Sequence, residues 1–184
     1  MCGISGIVNL RGEPIDRLER RLTIMNDLMA HRGPDGEGVW VDPSHSVGLA
    51  HRRLSVLDLS PAGAQPMHGE NGTVISHNGE VYNYLELKEA LKTTWNFGSQ
   101  TDTESILAAY AQYGDACLDH LRGMFAFAIW DTSRKRLFCA RDRFGIKPFY
   151  YAVVDGVFYC ASEAKALVPF LPSIETEPAA LAEY

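Results

Sequence analysis

Short apolar runs of strand length occur in two blocks along this chain, and helical patterns separate the blocks. The first block covers residues 4–10, three runs between residues 37 and 59, and residues 73–77. The second block covers residues 124–130, 137–140, 149–154 and 157–160, and the last two runs flank Asp155-Gly156, a strong hairpin signal. Strands, then helices, then strands predict an α+β fold in which two antiparallel sheets, one from each block, pack face to face with helices outside.

Helical spacing marks three segments. Leu18, Leu22 and Met25 recur within residues 16–29 at helical intervals, and Asp16 is predicted as the N-cap of this amphipathic helix. Residues 84–91 and 103–113 carry the same spacing, and a short helix is predicted near residues 163–167. The apolar run at residues 54–57 is predicted as a strand of the first sheet.

Composition and charge indicate an ordinary globular domain. The 184 residues are 46% hydrophobic and 22% charged, and a chain of this length buries about 70% of its unfolded surface. A net charge of -6 without a basic block disfavours nucleic acid as a partner. The chain has no signal-like start and no run of about 18 apolar residues, so no membrane partner is expected and a cytoplasmic location is predicted.

The cysteines and histidines give little support to a metal centre. Cysteines at positions 2, 117, 139 and 160 form no C-x-x-C pair, and the six histidines are scattered without an H-E-x-x-H motif. We therefore expect no metal, no disulfide and no cofactor in this chain.

Cys2 is the first candidate for chemistry. Removal of Met1 leaves a thiol and a free α-amino group on one residue, and such an amine has an unperturbed pKa of about 8. The amine can accept the thiol proton directly or through water, so no histidine partner is needed. Taken alone, Cys2 is better explained as the plain start of a strand, and its position proves nothing by itself.

Asn78-Gly79 follows the strand predicted at residues 73–77. By itself this dipeptide favours a type I′ hairpin turn. The functional alternative is that the Asn78 amide and the Gly79 backbone N–H point at a developing oxyanion, where one donor is typically worth about 3 kcal/mol of barrier.

Three other places allow both a structural and a functional interpretation. Residues 31–36 either stop the first helix or form a buried ion pair under a pocket. Arg52 and Arg53 must point to opposite faces of a strand, so one points inward, to bind a substrate carboxylate or to pair with an acid. Asp102 reads locally as a helix N-cap and alternatively as a receptor for a substrate ammonium.

Ordered motifs along the chain match one known family. They are MCGISG at 1–6, HRGPDG at 31–36, RLSVLD at 53–58, QP at 65–66, NGEVYN at 78–83, TDTE at 101–104, GMFAFA at 123–128, RD at 141–142 and GIKP at 145–148. Together they resemble the class II glutamine amidotransferase domain of glutamine-hydrolysing asparagine synthetases, and the resemblance runs from residue 2 to about residue 167.

The resemblance implies a fold and a set of roles. The fold is that of the N-terminal-nucleophile hydrolases, a four-layer αββα sandwich of two antiparallel sheets. L-Glutamine is hydrolysed to glutamate and ammonia through a thioester on Cys2, with the α-amino group of Cys2 as base. The implied oxyanion hole is Asn78 with Gly79; the implied glutamine-binding residues are Arg53 with the backbone of Leu54, Ser55, Val56 and Leu57, together with Glu80 and Asp102. Residues 31–36 are implied to be architectural.

The family's synthetases also carry an ATP-pyrophosphatase loop of the S-G-G-x-D-S kind, which does not occur in these 184 residues. ATP and Mg²⁺ are therefore expected only for a synthetase domain absent from this chain. Residues 1–168 are predicted as the glutaminase domain, and the Pro-rich, acidic residues 169–184 as a linker or the start of that domain. The implied partner is such a domain or a separate amidating protein, with aspartate or another carboxylate as ammonia acceptor; a homodimer stays open.

Removal of Met1 determines whether this chain can be catalytically active. While Met1 is attached, the α-amino group of Cys2 is a peptide nitrogen and the proposed base does not exist. The alternatives are a silent module that binds glutamine or holds a complex together with Met1 retained, and an acylase acting on another amide.

Overall fold

Two antiparallel sheets form the centre of the computed structural model, which describes residues 1–175. The strands in chain order are β1 (Gly3–Asn9), β2 (Gly36–Val41), β3 (Val47–Arg53), β4 (Met67–His68), β5 (Thr73–Val81), β6 (Gly123–Asp131), β7 (Arg136–Arg141), β8 (Tyr150–Val154) and β9 (Val157–Ala161). One sheet has the order β2-β3-β1-β9-β8 and the other the order β4-β5-β6-β7.

Helices cover the outer faces of both sheets. They are α1 (Leu18–Leu28), α2 (Tyr84–Leu91), α3 (Asp102–Tyr113) and α4 (Cys117–His120). Helix α1 packs on β1, β2 and β3, whereas α3 packs on β5. Leu18, Leu22 and Met25 form the buried face of α1, as their spacing predicts.

Three hydrophobic clusters correspond to the three interfaces of a four-layer stack. One lies between α1 and the five-stranded sheet around Leu22 and Met25, and another lies between the four-stranded sheet and α2 and α3 around Ile106 and Phe127. The third fills the space between the sheets around Leu49. This arrangement confirms the predicted αββα sandwich of two antiparallel sheets.

Strand β1 holds the central position of the five-stranded sheet. It pairs with β3 from Gly3↔Arg52 to Val8↔Val47 and with β9 from Ser5↔Ala161 to Asn9↔Val157. Because β1 has partners on both sides, its first residue is fixed by the sheet, and Cys2 lies directly before that residue.

Several local predictions are corrected by the structure. The strands of the second block do not form a sheet of their own, because β9 pairs with the central strand β1 and carries β8 on its other side, while β5 of the first block pairs with β6. Asp16 does not cap α1: Arg17 occupies the cap position in the left-handed region, without a side-chain cap. The helix predicted near residue 165 is a 3₁₀ turn at Ala164–Ala166. The hairpin at Asp155-Gly156 is confirmed, since both residues have positive φ between β8 and β9.

Two further observations concern membrane-spanning helices and the predicted linker. Among the described residues, none of the helices has the length and apolar character needed to cross a membrane. Of the predicted linker 169–184, residues 176–184 lie outside the described residues, whereas Phe170 stacks on Tyr159 with ring centroids 5.2 Å apart.

Candidate active site

A pocket of about 210 Å³ opens where the starts of β1 and α3 meet the ends of β3 and β5. This volume is below the roughly 300–1,000 Å³ of sites for drug-sized ligands and suits a small metabolite. Nine of the ten predicted site residues line it: Cys2, Arg53, Leu54, Val56, Leu57, Asn78, Gly79, Glu80 and Asp102. Ser55 does not line the pocket; its backbone N–H donates to Asp35 Oδ2 at 2.8 Å.

The Cys2 thiol is half-buried and held by the chain that follows β3. The Leu54 N–H donates to Cys2 Sγ at 3.4 Å, and the thiol donates to Leu54 O at 3.6 Å. Burial raises the pKa of this thiol, although the hydrogen bond from Leu54 opposes the rise. The thiol is therefore mostly protonated at neutral pH, and it needs a base before it can act as a nucleophile.

The loop of residues 31–36 contacts Cys2 through Arg32. Arg32 Nε donates to Cys2 O at 2.9 Å, and Arg32 Nη1 contacts Glu163 Oε1 at 3.1 Å. Burial raises the pKa of Glu163, but hydrogen bonds from Arg32, Lys165 and His31 outweigh it and lower that pKa to about 2. Helix α1 ends at Leu28, before this motif, whereas the Arg32–Glu163 ion pair lies next to Cys2 and agrees with the ion-pair interpretation.

Asn78 and Gly79 lie inside β5, so the predicted hairpin turn at this dipeptide is wrong. They pair with Ala126 and Phe125 of β6. The Asn78 side chain is buried, and its Nδ2 has no hydrogen-bond partner among the described residues. At Gly79 an added Cβ would lie 2.2 Å from Met124 O, so close approach of β6 requires glycine there. A buried amide donor without a partner, beside a thiol, is an arrangement suited to a developing oxyanion.

Arg53 and Arg52 separate to opposite faces of β3, as their adjacency predicts. Arg52 forms ion pairs with Asp27 and Glu37, each at 2.8 Å. Arg53 lines the pocket and donates to Ser60 O at 3.1 Å and to Asp58 O.

The predicted strand at residues 54–57 is a loop. Its neighbours β1 and β2 begin at Gly3 and Gly36, opposite Arg52 and Arg53, so no strand lies alongside the chain after Arg53. The Leu54 and Ser55 N–H groups donate to Cys2 Sγ and to Asp35 instead. These bonds fix the loop, and Leu54, Val56 and Leu57 line the pocket.

Asp102 is the first residue of α3 and not its cap. Thr101 occupies the cap position and accepts from the Glu104 N–H, while buried Asp102 accepts from the Val81 N–H at 2.8 Å. This bond ties α3 to the end of β5 and leaves Asp102 in the pocket with Glu80.

A second set of pocket residues was missed by local sequence reasoning. His77 Nδ1 lies 3.0 Å from Thr103 Oγ1, and Gln65 bridges the His77 N–H at 2.7 Å and Thr103 Oγ1 at 3.2 Å. Burial lowers the pKa of His77. Met124 and Lys147 also line the pocket, as do Met1, Gly63 and Thr101. Gln65, Thr103, Met124 and Lys147 all fall within motifs of the family resemblance, which is the signal that could have identified them.

Comparison with known proteins identifies similar chains. A family model described as a glutamine amidotransferase domain matches residues 1–184. Asparagine synthetase (glutamine-hydrolyzing) 1 of Bacillus subtilis strain 168 is 42% identical over 188 residues, covering 100% of this chain and 29% of the relative. Asparagine synthetase B (glutamine-hydrolyzing) of Escherichia coli K12 is 39% identical over 181 residues, covering 97% and 32%. Amidase chry2 of Gibberella zeae is 42% identical over 180 residues, covering 92% and 27%. The chain thus spans a third or less of the length of these relatives.

A solved structure shows the same fold. Glutamine phosphoribosylpyrophosphate amidotransferase from B. subtilis, complexed with ADP and GMP, superimposes with a TM-score of 0.76 at 19% sequence identity, over 91% of this chain and 43% of that one.

Proposed function

This chain belongs to the glutamine amidotransferase domain family, and from that membership we propose that it hydrolyses L-glutamine to glutamate and ammonia with Cys2 as the nucleophile. The observation that carries the proposal is the buried, unpartnered Nδ2 of Asn78 in the pocket that holds the Cys2 thiol. A buried donor without an acceptor costs free energy, and an oxyanion formed by attack on the substrate amide supplies that acceptor.

The reaction requires that Met1 has been removed. The α-amino group of Cys2 then takes the thiol proton, and the thiolate attacks the side-chain carbonyl carbon of glutamine. Collapse of the tetrahedral intermediate breaks the C–N bond, and ammonia leaves with the proton from the α-ammonium. Water, deprotonated by the same amine, cleaves the thioester to give glutamate and the free thiol.

The raised pKa of the Cys2 thiol supports a mechanism with a base. Histidine is a poor alternative here, because burial lowers the pKa of His77 and the ring is engaged by Thr103. An α-amino group with an ordinary pKa of about 8 is well matched to proton transfer near neutral pH.

The charges of the pocket suit a free amino acid. Glutamine carries one carboxylate and one ammonium besides its side-chain amide. Arg53 and the backbone of residues 54–57 are proposed to bind the carboxylate, and Asp102 with Glu80 the ammonium. An acylase for uncharged amides has no use for this paired arrangement.

We propose asparagine synthesis as the use of the ammonia, with aspartate as acceptor and an ATP-dependent domain or separate protein as partner. The names of the B. subtilis and E. coli relatives support this choice. ATP and Mg²⁺ belong to that partner in the proposal. Another carboxylate acceptor is the second candidate, since a relative of equal identity bears the name amidase.

The test is glutamate release from glutamine by the purified chain, with intact mass measured in parallel. Cys2→Ala should reduce the rate to background while leaving the thermal unfolding midpoint unchanged. Cys139→Ala, at a partly buried position far from the pocket, is the matched control and should remain active. An active Cys2→Ala protein sinks the proposal, and so does an inactive wild type from which Met1 has been removed. An inactive wild type that retains Met1 favours the silent binding module.

A further inference from the structure

A short loop after β7 carries Lys147 back into the active-site pocket. The Asp142 carboxylate accepts from the backbone N–H groups of Ile146 and Lys147, each at 2.9 Å, and from that of Phe125 at 3.2 Å. Arg141 Nε donates to Lys147 O at 2.6 Å. The loop is therefore anchored to β6 and β7 by its own backbone, and the Lys147 side chain is free to serve the pocket.

The Lys147 ammonium has an unusual environment. The residue is only 5% exposed, and no carboxylate among the described residues lies within ion-pair distance of it. The contact of Lys147 Nζ is with Met1 Sδ, at 3.5 Å. Lysine is rarely this buried without a pair, because desolvating the ammonium costs free energy. Its presence in the pocket calls for a function.

Met1 connects this ammonium with the proposed base. Removal of Met1 takes away the side chain against Lys147 Nζ and converts the peptide nitrogen of Cys2 into a free amine in the same pocket. A nearby positive charge disfavours protonation of an amine. Two acids in the pocket act in the opposite direction, so the protonation of the amine depends on the balance of charges around it.

The charged and titratable groups that line the pocket or contact Cys2 come from every element around it. They are the Cys2 thiol itself, Arg32 on the carbonyl of Cys2, Arg53 of β3, His77 and Glu80 of β5, Asp102 of α3, and Lys147 of the loop after β7. Arg53 already donates to two carbonyl groups and is proposed to bind the substrate carboxylate. Among the described residues, Lys147 is the cation of this set that neither donates to a carbonyl group nor is proposed to bind the substrate carboxylate.

We propose that Lys147 keeps the α-amino group of Cys2 in its uncharged, proton-accepting form after Met1 is removed, an inference that rests on the proposed glutaminase function. Lys147 offsets the field of Asp102 and Glu80 and acts through the amine, without contact with the reacting atoms. It therefore sets the pH range of the reaction and not the binding of glutamine.

The pH profile of kcat/KM is the main test. Lys147→Met removes the charge and retains most of the side-chain volume, and we expect the acidic limb to move up by about one pKa unit. The activity of this variant should fall about tenfold at pH 6 and match wild type above pH 9. Lys147→Arg keeps the charge and should retain the wild-type profile. Lys92→Gln, on the exposed end of α2, is the control and should change nothing.

The outcomes separate this inference from the proposed function. An inactive processed wild type overturns the glutaminase proposal itself. An active Lys147→Met protein with an unmoved acidic limb overturns the inference alone. A loss of activity that is equal at all pH values, or a rise in KM only, assigns Lys147 to folding or to glutamine binding and also overturns it.

A second measurement does not require activity. In a Cys2→Ala background, the rate at which cyanate carbamylates the α-amine can be followed by intact mass across the pH range. The amine should titrate about one unit higher when Lys147→Met is added. Equal titration of the amine with and without Lys147→Met contradicts the inference, whether or not the protein hydrolyses glutamine.

Discussion

At the scale of single residues, the informative groups of the pocket are those that lack a hydrogen-bond acceptor or a counter-ion among the described residues. Asn78 Nδ2 has no acceptor and Lys147 Nζ has no counter-ion among the described residues. By contrast, the acids of neighbouring loops are saturated: Asp142 accepts several backbone N–H groups, and Glu163 pairs with Arg32. Two of the buried side-chain atoms that lack a hydrogen-bond partner among the described residues, Asn78 Nδ2 and His77 Nε2, belong to residues that line the pocket.

Replacement of Asn78 should separate binding from chemistry. Asn78→Ala removes a donor that has no ground-state partner, so we expect kcat to fall about 10²- to 10³-fold with little change in KM. The control is Asn71→Ala, an exposed asparagine just before β5. Steady-state glutamate release checks this prediction, and a loss confined to KM would assign Asn78 to ground-state binding instead.

The local sequence alone did not assign a function to the candidate site residues. Cys2, Asn78 and Asp102 were ambiguous locally, and in two cases the structural alternative was wrong: Asn78-Gly79 is no turn, and Asp102 is no cap. Both side chains instead reach the pocket because β5 and α3 meet there through the bond from Val81 to Asp102. This contact joins residues far apart in the chain, and local patterns do not encode it.

At the scale of elements, the chain between β3 and β4 forms the side of the pocket at which we propose carboxylate binding. A 3₁₀ turn at Pro61–Gly63 folds this loop back onto Arg53, with the Ser60 side chain accepting from the Ala62 N–H at its start. The run at residues 54–57 has strand-like composition, yet it has no neighbouring strand to pair with. The composition of a segment indicates that it can adopt a strand conformation, but strand pairing also requires a neighbouring strand that extends alongside it.

Gly63 is the position at which this loop can be tested. A Cβ there would lie 2.3 Å from Arg53 Nη2 and 2.8 Å from Asp58 O, so Gly63→Ala must displace the guanidinium or the loop. We expect KM for glutamine to rise about tenfold, with a smaller change in kcat. Ala62→Ser, at the exposed neighbour, should leave both parameters near wild type. An unchanged KM in Gly63→Ala would argue against carboxylate binding by Arg53.

At the scale of the whole molecule, the sequence predicts the layers better than the pairing of strands. Apolar periodicity identified nearly every strand and the three longer helices, and the resemblance supplied the four-layer order. Assignment of strands to sheets failed because β9, with β8 paired to it, pairs with β1, which lies more than 140 residues earlier in the chain. Such non-local pairing follows from burying both faces of the central strand, which only the complete chain can specify.

The extent of the folded unit gives a stability prediction. Residues 169–184 were predicted to lie outside the domain, yet Phe170 stacks on Tyr159 and packs on the cluster beneath α1. We expect Phe170→Ala to lower the free energy of unfolding by about 1–2 kcal/mol, since the ring is only partly buried. Ile174→Ala, at a residue that is 73% exposed, should change it by less than about 0.5 kcal/mol. Equal urea midpoints for the two variants would place the boundary at residue 168, as the sequence predicts.

The central position of β1 limits how this fold can be combined with other proteins. The proposed base exists only when Cys2 is the first residue of the mature polypeptide, and Cys2 lies directly before β1, the central strand of the five-stranded sheet. An affinity tag or fusion partner joined upstream therefore disables the domain unless a protease cuts directly before Cys2. Larger enzymes that use it must grow by adding coding sequence downstream, and expression vectors for it should carry their tags at the carboxyl end.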